Sequence, residues 1–430
     1  MTGIRLNLVE FGHAGHQAEY LRHLVGAWPV HREAGTSLRV TVTPEFAEAH
    51  GDLARLAAER REQGVELHVL SGLTADRLSK AARPDRVPVT WLAGDGPPAD
   101  NFARLAWEVA QRSAVEFGAD QLVFMEIDPL LPAVAAHLAA ACRFSGLWFA
   151  PPRGDHPPSE RRWVLHQGVL LRRALSHPGL HRLLCLDAEA TAALRDRTGA
   201  DALVHLPDPV VLPPAIGEAD RARIRGRFGI PDGNRALLFF GQLAARKGLP
   251  ELVRAVEALA PRFLTRLSLL VAGPALDLDP GDLQERFEKL RQRGVHLRFW
   301  PDFVGEELAD DLFRACDAVL AVYRNHVGMS GVMLRAAAHG RPVVAQSYGL
   351  MGQLCRQHRL GLTVDADAAA ALAEALVTAI EGRLGPHFSS VAAAAFAEQH
   401  SVEAFCRAFY SATGLSNPSR AAVACQSSQA

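Results

Sequence analysis

The chain is short of everything that would bind it to a nucleic acid or carry it through a bilayer. Its 46 Lys+Arg stand against 47 Asp+Glu, a formal charge of -1. No basic excess exists to neutralise a polynucleotide backbone, so nucleic acid is not an expected partner. Nowhere do the roughly 18 consecutive apolar residues of a membrane-spanning helix occur. The opening MTGIRLNLVEFG also lacks the basic segment and long apolar run of a secretory leader. The expectation is a soluble, cytoplasmic protein whose contact with a membrane, if any, is peripheral and local. The six cysteines (Cys142, Cys185, Cys316, Cys355, Cys406, Cys425) show neither CxxC nor zinc-type spacing. They read as small buried hydrophobes of a reducing compartment.

What the chain does have is length and alternation. At 430 residues it exceeds one ordinary core, and a prior of roughly 150 residues per domain suggests more than one. The apolar runs IRLNLV, SLRVTVT, VELHVL, QLVFME, GLWFA and RLLCL alternate with helical periods. These include a helix from about Gln17, one from Asn101, one from Pro129 to Arg143 and one from Ala188 to Arg197. Strands alternating with helices of this length imply right-handed βαβ units and a parallel sheet covered on both faces. The proline-rich HLPDPVVLPPAIGEAD then interrupts the pattern and marks a domain boundary. Beyond it ALLFFG, RLSLLVAG, VHLRFW, AVLAVY, PVVA and GLTV repeat the alternation in a second domain, where Leu252, Val253, Val256 and Leu259 form one helical stripe.

Two turns of the second domain carry the sharpest chemical signal. LLFFGQLAARKGLPELVRAV and AVLAVYRNHVGMSGVMLRAAAHGRPVVA each run from an apolar strand through a glycine-bearing turn into a helix. The free amides and positive dipole end of each helix face what lies at the strand ends. Gly241, Gln242, Arg246 and Lys247 form the first loop, Gly328, Ser330, Gly331 and Val332 the second. Arg335 lies four residues after Gly331, on the same helix face, and is expected to point toward the loop. Together they suit a diphosphate, hence a nucleotide diphosphate or nucleotide sugar. The turn around Ser330 lacks the last glycine of a G-x-S-x-G nucleophile elbow, which argues against a hydrolase.

In the first domain the turn FGHAGHQAEYLRHL places Gly12, His13, Gly15 and His16 at a strand end. It is either a packing turn or a functional one whose two histidines face the opposite domain. Two histidines three apart could hold a metal, but no carboxylate or cysteine close in sequence completes a site, and no metal is expected. Asp128, after QLVFME, either caps the helix opening at Pro129, or accepts hydrogen bonds from sugar hydroxyls, or acts as a base if its pKa is raised. His156 lies in the loop PPRGDHPP and is either an exposed loop histidine or a third group at the reacting centre.

With these loops in view the chain resembles the GT-B glycosyltransferases, specifically glycosyltransferase family 4, most clearly over residues 236 to 382. FGHAGHQAEYLRHL looks like the family's glycine-rich N-terminal turn, and GQLAARKG resembles its cationic donor loop. The chain departs from the pattern at Gln242, where the family has arginine, and at Val327 and Arg335, where the family's Glu-x7-Glu motif has its acids. An arginine has donors only and cannot accept hydrogen bonds from ribose hydroxyls as that second glutamate does.

The resemblance implies an α/β GT-B fold of two Rossmann-like doubly wound parallel-sheet domains facing each other across a cleft. Residues 1–212 would form the acceptor side and 213–395 the donor side. A C-terminal helix within 396–414 would cross back, with a loose tail at 415–430. It implies transfer of a sugar from a nucleotide diphosphate sugar to a hydroxyl acceptor (glycan, lipid-linked glycan or small molecule), with retention and without a metal or bound cofactor. Asp128, His156 and His16 would orient hydroxyls. The alternatives are a nucleotide-sugar-binding protein without catalysis, motivated by Val327 and Arg335, and an epimerase on the same clamp.

Overall fold

The computed structural model describes residues 3–12, 16–81, 101–153 and 161–415. The chain divides into two compact units, one formed by Met1–Pro209 with Val402–Ala430 and the other by Val210–Ser401.

Unit 1 is built on seven parallel strands: β1 (Arg5–Glu10), β2 (Ser37–Val42), β3 (Val65–Val69), β4 (Gln121–Phe124), β5 (Arg143–Trp148), β6 (Leu180–Cys185) and β7 (Leu203–His205). Their order across the sheet is β3-β2-β1-β4-β5-β6-β7, with Leu8 of β1 beside both Val40 and Val123. β1 is buried at every residue after Arg5 because helices cover both faces of the sheet. On one face Trp107, Phe124, Phe144 and Trp148 pack together, and on the other Tyr20, Leu24, Trp28 and Val40. The last helix, Val402–Ala412, joins this second cluster through Phe405 and Phe409, and the Tyr410 hydroxyl donates to the Leu24 carbonyl at 2.6 Å.

Local structure departs from expectation at three places in unit 1. The helix expected from Pro129 to Arg143 is a 3-10 turn, Asp128–Leu130, followed by the short helix Leu131–Ala135. His137 adopts a left-handed φ of 54°, which no helix accommodates, and Arg143 opens β5. The sequence reading also passes over the helix Gly72–Lys80, whose Ser71 cap accepts from the Thr74 amide, and over the three-residue strand β7.

Unit 2 carries six parallel strands: β8 (Arg235–Phe240), β9 (Leu267–Ala272), β10 (His296–Trp300), β11 (Ala318–Ala321), β12 (Val343–Gln346) and β13 (Gly361–Val364). They lie in the order β10-β9-β8-β11-β12-β13. Both sheets therefore step outward from their first strand and then reverse, the doubly wound pattern the alternation implies. The reversal opens a crevice at the carboxyl ends of β1 and β4 in one unit and of β8 and β11 in the other. Among the described residues no helix is long and apolar enough to cross a membrane.

Candidate functional site

Both loops singled out in the sequence leave the sheet of unit 2 at its switch point, the first after β8 and the second after β11. The first turns at Gly241, with a φ of 98°, and runs through the 3-10 turn Ala245–Lys247 to Gly248 and the helix Leu249–Glu257. Gly248 has a φ of 80°, and a Cβ there would lie 2.0 Å from the Val322 carbonyl oxygen. Only glycine allows the first loop to press against the chain just beyond β11. The Arg324 amide, donating to the Arg246 carbonyl at 2.8 Å, ties the two loops at a second point.

That approach sets the environment of Lys247. Its ammonium lies 3.8 Å from the ring centroid of Tyr323, and the Tyr323 hydroxyl shares a 3.0 Å hydrogen bond with Ser330 Oγ. Ser330 is the N-cap residue of the helix Gly331–Ala338, and its side chain caps no amide. By helix geometry the first amides, those of Gly331 and Val332, have no intrahelical acceptor. Lys247 is half-buried and has no carboxylate ion-paired with it among the described residues. A half-buried ammonium on an aromatic face, beside a helix amino end, makes a local excess of positive potential.

The other expected donor-side residues divide between this place and elsewhere. Gln242 and Arg246 are exposed, and Arg246 Nη2 donates to Gln242 Oε1 at 3.1 Å. A Cβ on Gly328 would meet only the His326 ring, at 3.7 Å, so packing does not demand glycine there. Arg335 departs from expectation. Its guanidinium donates to Glu306 at 2.9 Å and to Asp310 at 2.8 Å, while its Cζ lies 5.3 Å from the Phe313 ring centroid. Having found two carboxylates of its own on the helix Glu306–Ala315, it is not turned to the loop.

Tyr323 and His326 are the residues the sequence reading missed. Tyr323 lies in a run read simply as strand, yet β11 ends at Ala321 and the ring is buried beneath Lys247. A polar-tipped aromatic directly after a strand was the available signal. The His326 Nε2 pairs with the Met329 carbonyl at 2.8 Å, and its ring lies 5.4 Å from that of Tyr323. Burial pulls its pKa down to about 4, with Lys247 and Arg246 adding repulsion, so the imidazole is neutral at pH 7.

In unit 1, Asp128 neither caps a helix nor offers an open carboxylate. Its two oxygens accept the Phe149 and Ala150 amides at 3.0 and 2.9 Å, pinning the chain after β5 to the end of β4. Burial pushes its pKa up to about 7, and the nearby Glu126 charge reinforces the rise. The hollow at this sheet end, lined by Glu10, Gly12, Phe102 and Glu126 among others, has a volume of about 20 Å³, room for a water and not for a sugar ring. At its border Gln17 Nε2 donates to Glu126 Oε2 at 3.0 Å, and the Gly12 amide donates to Glu10 Oε1 at 2.5 Å. His16 is exposed at the start of the helix Gln17–His31, its ring stacked with that of Tyr20, whose hydroxyl donates to the half-buried Asp208. Burial raises the Asp208 pKa. His13, Gly15 and His156 lie outside the described residues, as does the tail beyond residue 415. Among the described residues no group of three or more His, Cys, Asp or Glu could hold a metal ion.

Solved structures share this architecture along nearly its whole length. HepE of Anabaena, in complex with UDP, superposes with a TM-score of 0.64 at 17% identity, covering 96% of this chain and 99% of that one. Sucrose-phosphate synthase of Thermosynechococcus elongatus gives 0.61 at 15% identity, covering 98% and 100%. Two doubly wound parallel-sheet units in these company define the GT-B fold of glycosyltransferases. Residues 234–382 match the family model described as glycosyl transferases group 1. Over that segment the chain is similar to the group 1 glycosyltransferases.

The curated relatives point the same way. The D-inositol 3-phosphate glycosyltransferase of Streptomyces scabiei is 33% identical over 256 residues, 57% of this chain and 54% of the relative. That of Actinosynnema mirum is 31% identical over 270 residues, 56% of this chain and 64% of the relative. The chain thus spans about half the length of the curated relatives it matches.

Proposed function

We propose that this protein transfers a sugar from a nucleotide diphosphate donor to a hydroxyl acceptor, with retention of configuration and without a metal. The observation that carries the reading is the meeting of the two loops: Lys247 lies on Tyr323, which bonds Ser330 at the mouth of the helix Gly331–Ala338. An ammonium and free helix amides aimed at one place suit a diphosphate, and they suit it best when the glycosidic bond breaks and the second negative charge develops on the leaving group. That charge forms on a phosphate oxygen, which can take the proton of the incoming hydroxyl. No protein base is then required. HepE, one of the solved structures with this fold, is complexed with UDP and with UDP-glucose. A nucleotide-activated hexose is accordingly the donor class we favour.

Arg335, committed to Glu306 and Asp310, is assigned a supporting role, fixing the helix Gly331–Ala338 against the helix Glu306–Ala315. Asp128 is assigned to loop positioning, which leaves hydroxyl recognition in unit 1 to His16 and the strand-end pair Gln17 and Glu126. The acceptor class remains a hydroxyl-bearing glycan, lipid-linked glycan or small molecule, and the setting a cytoplasmic one, with peripheral membrane contact for a lipid-linked acceptor.

One observation favours a second reading, binding without turnover: neither Val327 nor Arg335 supplies a carboxylate to the second loop, and Arg335 is ion-paired away from it. A panel of UDP-, GDP- and ADP-sugars assayed for transfer and for hydrolysis, beside calorimetric binding of the same ligands, separates the two. Turnover of any donor supports the transferase. Micromolar binding with no turnover of any of them supports the binding protein.

A further inference from the structure

The amino edge of the unit 2 sheet, opposite the end that bears Lys247, holds a cavity of about 210 Å³. Arg235 opens β8, Asp317 immediately precedes β11 and Arg341 stands two residues before β12, so three strand starts bring their side chains to one rim. Arg221 reaches the same rim from the helix Glu218–Arg227, while Leu384 and Phe388 give it an apolar wall. Along β8, at about 3.3 Å per residue, the rim lies roughly 16 Å from the strand end that leads to Lys247.

Charge at this rim does not balance. Asp317 accepts from Arg221 at 2.8 Å and from Arg225 at 3.1 Å, and lies 3.6 Å from Arg235. Its single carboxylate is thus divided among three guanidinium groups. Arg341 donates only to main-chain oxygens, those of Phe313 at 3.2 Å and Arg314 at 3.0 Å, and no carboxylate is ion-paired with it among the described residues. Those carbonyls end the helix Glu306–Ala315 and contribute partial negative charge alone. Arg341 also feels the charges of Asp317 and Glu218, yet four guanidinium groups against these two carboxylates leave a surplus of positive charge on a recess, with N–H donors to spare at five per arginine. Cations gathered in partial burial are costly without an anion to meet them.

We propose that this cavity is a second binding site, for a small phosphate ester, distinct from the nucleotide loops. Its volume falls below the roughly 300 Å³ of a pocket for a drug-sized ligand and exceeds what bare phosphate fills. The guanidinium rim takes the phosphate through charge-assisted bonds, and the Leu384 and Phe388 wall takes the organic part. Occupancy there would load the starts of β8, β11 and β12, the same strands whose far ends carry the nucleotide loops.

Arg235 offers the clean test, because its side chain is 46% exposed and its ion pair with Asp317 is long, at 3.6 Å. A hexose monophosphate and inorganic phosphate are titrated calorimetrically into the full chain, as wild type, Arg235→Gln, Arg235→Lys and Lys247→Ala. The expected result is that the hexose monophosphate binds wild type more tightly than inorganic phosphate does. Arg235→Gln should then weaken it at least fivefold, Arg235→Lys restore most of the loss, and Lys247→Ala leave it unchanged. Unliganded melting of Arg235→Gln should match wild type, confirming the fold. Equal affinity in wild type and Arg235→Gln, absence of binding to wild type, or loss in Lys247→Ala alone would each overturn the proposal. UDP affinity in the same variants tests the nucleotide loops separately, so that reading and this one can fail independently.

Discussion

Lys247 ends the 3-10 turn of the first loop and Arg335 lies in the helix that follows the second, and the two differ in what surrounds their charge. Arg335 has two carboxylates within 2.9 Å, whereas Lys247 has an aromatic face. Losing a charge-assisted hydrogen bond to phosphate costs about 1.5–3 kcal/mol, so Lys247→Ala should weaken nucleoside diphosphate binding roughly tenfold to a hundredfold. Arg335→Ala should change it less than about threefold, within the scatter of a contact not made to ligand. Calorimetric titration of both variants checks the pair, and a tenfold loss in Arg335→Ala would restore that residue to the phosphate. Lys247 stood out in the sequence as a cation between a strand-turn and a helix. The sequence could not show that Arg335 has its own anions, because Glu306 and Asp310 lie on another helix, more than a turn of chain away. Asp128 adds a test of burial. Its pKa rises from 3.8 unfolded to about 7 folded, so its contribution to stability is complete below pH 4 and lost as pH climbs toward 7. His326 acts oppositely, since its pKa falls from 6.5 to about 4, and the stability it carries above pH 6.5 is lost as pH drops toward 4. Denaturation midpoints from pH 4.5 to 8 should show a smaller decline on the alkaline side for Asp128→Asn than for wild type. An identical decline would remove Asp128 as its cause.

At the scale of elements, the two loops meet because a glycine permits it. Gly248→Ala would set a Cβ 2.0 Å from the Val322 oxygen at a left-handed φ of 80°. It should cost several kcal/mol by urea denaturation, the clash adding to roughly 1 kcal/mol or more of backbone strain. Gly328→Ala meets only the His326 ring, at 3.7 Å, and should leave stability within about 0.5 kcal/mol. If ligand passes close to Gly328, the same methyl group should still weaken nucleotide binding several-fold. Unchanged binding would take Gly328 out of the site. Parallel strands such as β8 and β9 were readable from sequence because burial on both faces makes them continuous apolar runs. The three-residue β7 and the helix Gly72–Lys80 were not, the one being too short for a period and the other too polar for a stripe. The break after Ala135 was also hidden, since the run LPAVAAHLAAA favours helix and only the left-handed His137 ends it.

At the scale of the whole molecule, two sheets of one topology place two crevices in one chain, and their contents differ in sign. The crevice of unit 1 is bordered by Glu10, Gln17 and Glu126, and that of unit 2 by Lys247 and an open helix amino end. In the proposed reading the anionic donor takes the crevice of unit 2. The two doubly wound sheets were legible in outline from the alternation. The chemistry of unit 1 was not, because the residues that border its crevice come from β1, from the helix Gln17–His31 and from the chain after β4, segments that sequence spacing does not bring together. The central claim is that the two loops of unit 2 grip a diphosphate, and a crystal structure of the full chain with UDP tests it most directly. The account expects diphosphate oxygens within hydrogen-bonding distance of Lys247 Nζ and of the Gly331 and Val332 amides. Ordered UDP whose phosphates lie away from Lys247 and from the helix Gly331–Ala338 would contradict it.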